Sequence, residues 1–539
     1  MMKTSKKVLA LTMALAMAAP MAACSGKLLD GGVPDDRVEL KISLYAGGFG
    51  TQWMDELIDR LNTSQETYWY TRLDDNKTAS NEIAGRILGT LVDADIYVTS
   101  PADVDELVVK EKLVDLSPVY NYTPEGEDQT IKEKTKGYHY YEKFFSDDNG
   151  IYVMPAFVSV NGLVYDHDLF KKMGWLYTDD NTENGLTKGA DGKEGTYDDG
   201  LPVTYAEFKS VCDTIAGAQY TPFIYGDAIG FGQMQRFFEC IWAQYEGIEN
   251  YNISMNYNGT YISSDGTETL ITPETGWKLY SDEKLQEGRI KAMQFASEMV
   301  YHSSKYMYSD RAGMSHTDAQ GVYVVSHGTG NQIAMLFDGG WWENEAQRAF
   351  AEDAKNTNED YAFGKRDFRI MPAPTFEGQH SSMDGKHAVH GGVGGSAFAV
   401  KPVVKDPKIS DEQAAIKTEG IIQFFKEYSS DWNCKNYTKL SGCIFPMEYE
   451  MTQEELSGIS KFAQNVFEIY NSDSTIMFEP YWVEKELALA NPPTRWGTLT
   501  IGDATWTSHA AALQAPGITF ADYVRGLTND TWKESNWNK

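Results

Sequence analysis

Val38-Glu39-Leu40-Lys41-Ile42-Ser43-Leu44, followed by Gly47-Gly48-Phe49-Gly50, decides the architecture. The seven residues alternate apolar and polar, the period of a β-strand, and the glycines then turn the chain. Trp53, Met54, Leu57, Ile58 and Leu61 recur at helical spacing directly afterwards. Further out, the pattern predicts a strand over 67–73 and a helix over 80–91. A short strand, Asp95-Ile96-Tyr97-Val98, ends at Thr99-Ser100-Pro101, and another helix covers 104–110. Strand, helix, strand, helix in this order implies an α/β lobe on a largely parallel sheet. Ligands of such sheets bind beyond the carboxyl ends of the strands. The loop 47–52 and the turn Thr99-Ser100 lie there.

The middle of the chain reads as a second α/β region. A strand is expected at 162–166, with a helix at 168–173. Thr204 is placed to cap a helix over 204–216, and Glu207 to complete its capping box. Longer helices are expected at 237–245 and 285–301. Ile333 to Phe337 is a buried-strand run that ends in Asp338-Gly339-Gly340-Trp341-Trp342. A strand at 397–400 and a helix at 414–428 follow. There is no internal repeat and no long low-complexity tract.

Several of these segments carry a resemblance. Gly150-Ile151-Tyr152-Val153-Met154-Pro155, Asn161 to Asp166 and Asp168 to Gly174 resemble the first interdomain crossover of extracellular solute-binding proteins of the maltose-binding-protein-like family. Pro202-Val203-Thr204-Tyr205-Ala206-Glu207-Phe208 resembles a helix start of that family, and Ala334 to Glu343 its Ala-Met…Gly-x-Trp segment. Met371-Pro372-Ala373-Pro374 resembles its return crossover, and Gly391 to Val400 its Gly-rich turn into a strand. The C-terminal hundred residues and the insert 246–330 match poorly. The resemblance implies a two-lobed α/β clamp, each lobe a mostly parallel sheet flanked by helices. One lobe would comprise 38–156 and 374–445, the other 157–373 and 446–539. It also implies a monomer without catalytic residues that captures an extracellular solute, most simply an oligosaccharide, for the permease of an ABC importer. Closing such a clamp buries the solute from both sides.

Site roles follow residue by residue. The resemblance places Trp341 at the family's stacking position; Trp342 extends that surface or packs in the core, and Glu343 adjoins both. Ser159 stands at a crossover position that often offers a polar group, and Thr99 and Ser100 end a strand at the cleft edge. Thr99 replaces an aromatic found in some sugar-binding relatives. Phe49 and Trp53 are the candidates to supply it, although Trp53 also fits a helix-packing position. Trp242, Trp496 and Trp506 are further aromatic candidates. Apolar platforms with a few placed polar groups suit a small-molecule cleft. The glycines at 391–395 lack the lysine and serine order of a phosphate-binding loop and read as a close-packed turn.

The ends and the composition set the context. Lys3, Lys6 and Lys7 precede an apolar run over 8–19, and Met21-Ala22-Ala23-Cys24 follows. This is the layout of a secretory signal peptide over 1–23. Its cysteine resembles that of the bacterial lipobox, which implies lipid on Cys24, a tether over 24–37 and a chain held at the cell membrane outside the cytoplasm. The net charge, 47 − 78 = −31, argues against nucleic acid and against an anionic membrane surface as partners. Cys212, Cys240, Cys434 and Cys443 do not make a disulfide framework, though the last two are close enough in sequence for a local bridge.

No cofactor is required by any motif. The run 191–200 nevertheless places Asp191, Asp198 and Asp199 among glycines, with Asn181 and Asn184 nearby, a composition that suits structural Ca²⁺ or a solvated acidic loop. Two rival functions remain. A lipoprotein glycoside hydrolase needs two carboxylates flanking the sugar, and Glu343 and Glu345 are the pair to inspect. The same fold can also hold a non-sugar solute. A polyamine site would show carboxylates around the aromatics, and an anion site would show Arg or Lys, of which few stand near the expected site.

Overall fold

Strand Val38–Leu44 lies inside a five-stranded sheet, paired in parallel with Tyr68–Asp74 on one side and Ile96–Thr99 on the other. The structure, a computed structural model, describes residues 32–74, 80–89, 91–99, 104–158, 160–228, 232–301, 305–329, 331–391, 393–405, 409–478 and 499–528. Cys24, Ser100, Ser159 and Trp496 lie outside these residues. Leu40, Ile42 and Leu44 are buried, and so is Ser43, because this central strand is covered on both faces. Helix Asp411–Tyr428 packs on one face and presents Gly420 to it. A Cβ at Gly420 would stand 2.4 Å from Leu40 Cδ1, so only glycine permits this approach. Tyr70 Oη completes the contact by donating to Gly420 O at 2.9 Å.

Val393–Ala399 runs antiparallel to Ile96–Thr99 and to Val153–Val158, which closes the sheet. The second sheet has four strands in the order Phe368–Met371, Asn161–Asp166, Ile333–Gly339, Thr221–Ile224. Asn161–Asp166 is antiparallel to both neighbours, whereas Ile333–Gly339 and Thr221–Ile224 are parallel. Each sheet is therefore mixed, with one reversed strand, rather than parallel throughout. The reason is topological. Asn161–Asp166 and Val393–Ala399 are the first strands after a crossing between lobes. They enter their sheets at the end where the other strands finish.

The first crossing lies between Val158 and Asn161, which belong to different sheets. The return crossing lies between strands His387–His390 and Val393–Ala399, later than the expected 373. Residues 374–390 stay with the second lobe because Thr375 N donates to Val203 O at 2.8 Å, Phe376 stacks on Tyr205 at 4.6 Å, and His387–His390 pairs with Thr475–Phe478. The third crossing falls between Met447, which bridges Thr135, and helix Lys461–Asn471, whose Asn465 Oδ1 accepts from Ile370 N at 2.8 Å.

Two further expectations need correction. The helix expected over 285–301 is broken into a 3₁₀ turn Glu283–Leu285, an α-helix Glu287–Phe295 and a π-helical segment Ala296–Tyr301. Val393-Gly394-Gly395 lies within a strand rather than a turn, with register shifts on either side of Gly395. Glycine weakens a strand enough to admit such a bulge. The helix at Tyr205–Gly217 starts as expected, with Thr204 and Glu207 forming a reciprocal capping box. The insert makes a small core of its own around Tyr257, Tyr261, Leu279 and Tyr280. Cys212, Cys240, Cys434 and Cys443 are buried and unbridged. Among the described residues no helix is long and apolar enough to cross a membrane.

Candidate functional site

The carboxyl ends of the two sheets face each other. From the first sheet comes the turn Gly47–Phe49, which follows Val38–Leu44. From the second comes the turn into helix Trp342–Glu345, which follows Ile333–Gly339. They touch at Gly48. A Cβ there would stand 3.0 Å from Trp341 Cδ1 and 3.2 Å from Glu345 Cβ. Asn344 Nδ2 donates to Gly48 O at 2.7 Å and ties the lobes together. Tyr45 is exposed at the same edge.

Trp341 is the centre of this contact. A Cβ on Gly339 would lie 2.4 Å from its Cζ3, so that glycine makes room for the ring. The Arg236 guanidinium sits 4.8 Å from the ring centroid, within cation–π range. Arg236 Nη1 donates to Asn161 Oδ1 at 3.2 Å, and Asn161 Nδ2 donates to His390 O at 2.9 Å. His390 Nε2 lies 3.2 Å from Glu239 Oε2, and Gln235 Nε2 donates to Glu239 Oε1 at 3.0 Å. Beyond Trp341, Gln320 Nε2 donates to both Asp338 Oδ2 at 2.9 Å and Glu345 Oε2 at 2.7 Å. His316 Nε2 lies 3.4 Å from Glu345. Burial, reinforced by the Glu345 charge, pushes the Asp338 carboxyl up to about 7, and the hydrogen bond to Glu345 raises the His316 imidazole.

The residues expected from the sequence are spread over the site and the cores beside it. Trp341 lies between the lobes. Phe49 is buried beside it in the chain turn, its ring 3.8 Å from that of Phe157. Thr99 is buried at the end of its strand opposite Ser396. Trp53 does not face the cleft; it packs edge-on to Tyr437 at 5.1 Å, inside the first lobe. Trp342 is fully buried among Tyr323, Phe350, Phe368 and Phe462. The helical turn explains the split. Residues 341 and 345 are four apart and share a side, while 342 and 343 point inward. Glu345, and not Glu343, is therefore on the cleft side. Trp242 is also buried, its Nε1 donating to Glu246 Oε2 at 2.6 Å, and Trp506 belongs to the C-terminal hairpin.

Glu343 accepts from Ser460 Oγ at 2.5 Å, at the start of helix Lys461–Asn471, and the Gly364 backbone also bonds its carboxyl. Burial pushes its carboxyl from 4.5 up to about 7. The folded state thus holds this proton more tightly than the unfolded chain. Its stabilising contribution is complete below about pH 4.5 and is lost as pH rises through about 7. Glu343→Gln is expected to raise stability at pH 8 by on the order of 3 kcal/mol, and to have little effect near pH 4.5. Melting curves at the two pH values check this, and an equal shift at both would contradict it. The pair Glu343 and Glu345, which a hydrolase would need, does not face one cavity.

The acidic loop holds itself. Asp198 Oδ2 accepts from Ala190 N at 2.8 Å and pairs with His387 Nε2 at 2.9 Å, while Thr196 Oγ1 donates to Oδ1 at 2.8 Å. Asp199 Oδ2 accepts from Gly195 N at 2.7 Å and Asn184 Nδ2 at 2.5 Å, and Asp191 Oδ1 from Lys193 N at 2.7 Å. Asp191 Oδ2, by contrast, is buried with no hydrogen-bond partner among the described residues. Among the described residues no group of three or more His, Cys, Asp or Glu side chains is placed to hold a metal ion.

Gly48, Asn161, Arg236, His316, Gln320, Asp338 and Asn344 were not anticipated as site residues. Asp338 had a readable signal, since it ends a buried-strand run. The others meet only through the crossings. Arg236 is a basic residue beside Trp341, in a region where the sequence shows few.

No family model and no curated protein matches the chain. Solved structures do. A protein from work on xylan utilization by Caldanaerobius polysaccharolyticus is 16% identical with a TM-score of 0.56, over 91% of this chain and 99% of that one. RafE from Streptococcus pneumoniae in its apo form is 15% identical with a TM-score of 0.55, over 92% and 99%. The GacH receptor of Streptomyces glaucescens is 13% identical with a TM-score of 0.51, over 92% and 97%. RafE has also been solved with raffinose and GacH with acarbose. Two mixed α/β sheets, joined by three crossings and facing each other at their carboxyl ends, give this chain the fold of the solute-binding proteins.

Proposed function

We propose that this protein captures an oligosaccharide between its lobes, leaves it chemically intact, and delivers it to the permease of an ABC importer. The observation that carries the reading is the opposition of Gly48 and Trp341 across the lobes, at the ends of the central strands. An aromatic ring flanked by hydrogen-bonding side chains from both sides suits a polyhydroxylated ring with apolar faces. A ligand held by both lobes favours the closed form through its differential affinity, which a permease can read. Structural neighbours that carry raffinose and acarbose support the sugar class. The buried Asp338 and the inward-facing Glu343 disfavour hydrolysis, since neither is placed to reach a glycosidic bond. Lipid on Cys24 is the proposed anchor that holds the protein at the outer face of the membrane.

A thermal-shift screen of the purified protein against oligosaccharides tests this. A ligand at 100 times its Kd adds about 2.7 kcal/mol of stability. The expected result is a clear upward shift with at least one oligosaccharide that chromatography recovers unchanged. Cleaved sugar would favour the hydrolase, and a shift only with peptides or polyamines would replace the substrate class.

A further inference from the structure

Arg236 deepens that reading of the cleft and rests on it. In a chain of net charge −31, arginines commonly find carboxylates: Arg60 meets Glu427, Arg72 meets Asp55, Arg366 meets Asp166 and Arg369 meets Asp367. Among the described residues Arg236 makes no ion pair. Its fixed partners are neutral: the amide oxygen of Asn161 and the face of Trp341. The nearby carboxylates are engaged elsewhere. Glu345 is held by Gln320 and His316, Asp338 by Gln320 and its own strand end, and Glu239 by Gln235 and His390. The guanidinium is only part-buried beside the interlobe contact, so an anion entering the cleft can reach it. An anionic ligand supplies the counter-charge that these neutral partners do not.

We infer that the oligosaccharide carries a carboxylate, as a uronic acid residue does, and that Arg236 receives it. The planar fork of arginine matches a carboxylate with two parallel hydrogen bonds. Trp341 packs against the guanidinium and Asn161 takes Nη1, which leaves Nε and Nη2 for a carboxylate. Phosphate offers a similar pair of oxygens, but it brings nearly two charges into a site that also holds Glu345, Glu239 and Asp338. A singly charged carboxylate suits that balance better.

The test uses equilibrium titration of the purified protein with oligogalacturonides and glucuronic-acid-bearing xylo-oligosaccharides. Each is paired with its carboxyl-reduced neutral twin, and a sugar phosphate is included. The acidic member of one pair is expected to bind at least tenfold tighter than its twin, with an advantage that shrinks as salt rises. Arg236→Gln is expected to erase the difference while the variant keeps the melting temperature of the unliganded protein. Arg236→Lys, which keeps the charge but not the fork, should restore only part of it. Equal affinity for both twins would overturn the inference and leave oligosaccharide capture standing. Equal losses for both twins in Arg236→Gln would overturn it as well, as would preference for the sugar phosphate. Failure to bind any saccharide would overturn the underlying proposal instead.

Discussion

Trp341→Ala is expected to weaken oligosaccharide binding at least tenfold, a loss of about 1.4 kcal/mol or more. Two effects add. The ring supplies the apolar face between the lobes, and it is also the surface against which Arg236 is held 4.8 Å from the ring centroid. Removing it frees the guanidinium and leaves a gap opposite Gly48. The neighbouring tryptophan is the control. Trp342 is fully buried among four aromatic rings in the second lobe, so Trp342→Ala should cost about 3–5 kcal/mol of stability. Its folded fraction should bind sugar normally. Titration calorimetry and thermal melting on both variants separate the roles. Unchanged affinity in Trp341→Ala would remove that residue from the site.

Gly48→Val is expected to reduce affinity by roughly tenfold to a hundredfold with little change in the melting temperature of the unliganded protein. A Cβ at this position already stands 3.0 Å from Trp341 Cδ1 and 3.2 Å from Glu345 Cβ, and valine adds two methyl groups beyond it. The hydrogen bond from Asn344 to Gly48 O leaves the turn little room to retreat. Overpacking of this kind costs about 1–3 kcal/mol. Here the clash lies between the lobes, so the penalty falls on closure and not on either core. Small-angle scattering of the sugar-saturated variant should give a larger radius of gyration than the parent. Parent-like affinity and radius would show that Gly48 does not gate closure.

The sequence makes the secondary structure legible wherever local chemistry decides it. The alternation of Val38 to Leu44, the Thr204–Glu207 capping box and the run Ile333 to Phe337 all sit where the pattern places them. Strand direction was less legible, because it depends on which strands follow a crossing. The Pro372 and Pro374 pair marks the end of a strand, yet Thr375 and Phe376 bind the following segment to the second lobe, so the crossing comes later. Within the site, a Trp-Trp-Glu run does not say which member faces outward. That depends on the phase of a four-residue helix. Arg236 was invisible for a different reason. Nothing local distinguishes an arginine on a buried helix face from one aimed at a ligand, and its neighbours Asn161, Trp341 and His390 arrive from three distant parts of the chain.

The most direct test of the central claim is a calorimetric titration of the purified protein with an oligosaccharide that shifts its melting temperature, followed by chromatography of the recovered sugar. Capture in one interlobe cleft predicts saturable binding of one sugar per chain, with the sugar returned intact. Absence of saturable binding across the sugar panel, or return of the sugar as fragments, would contradict it.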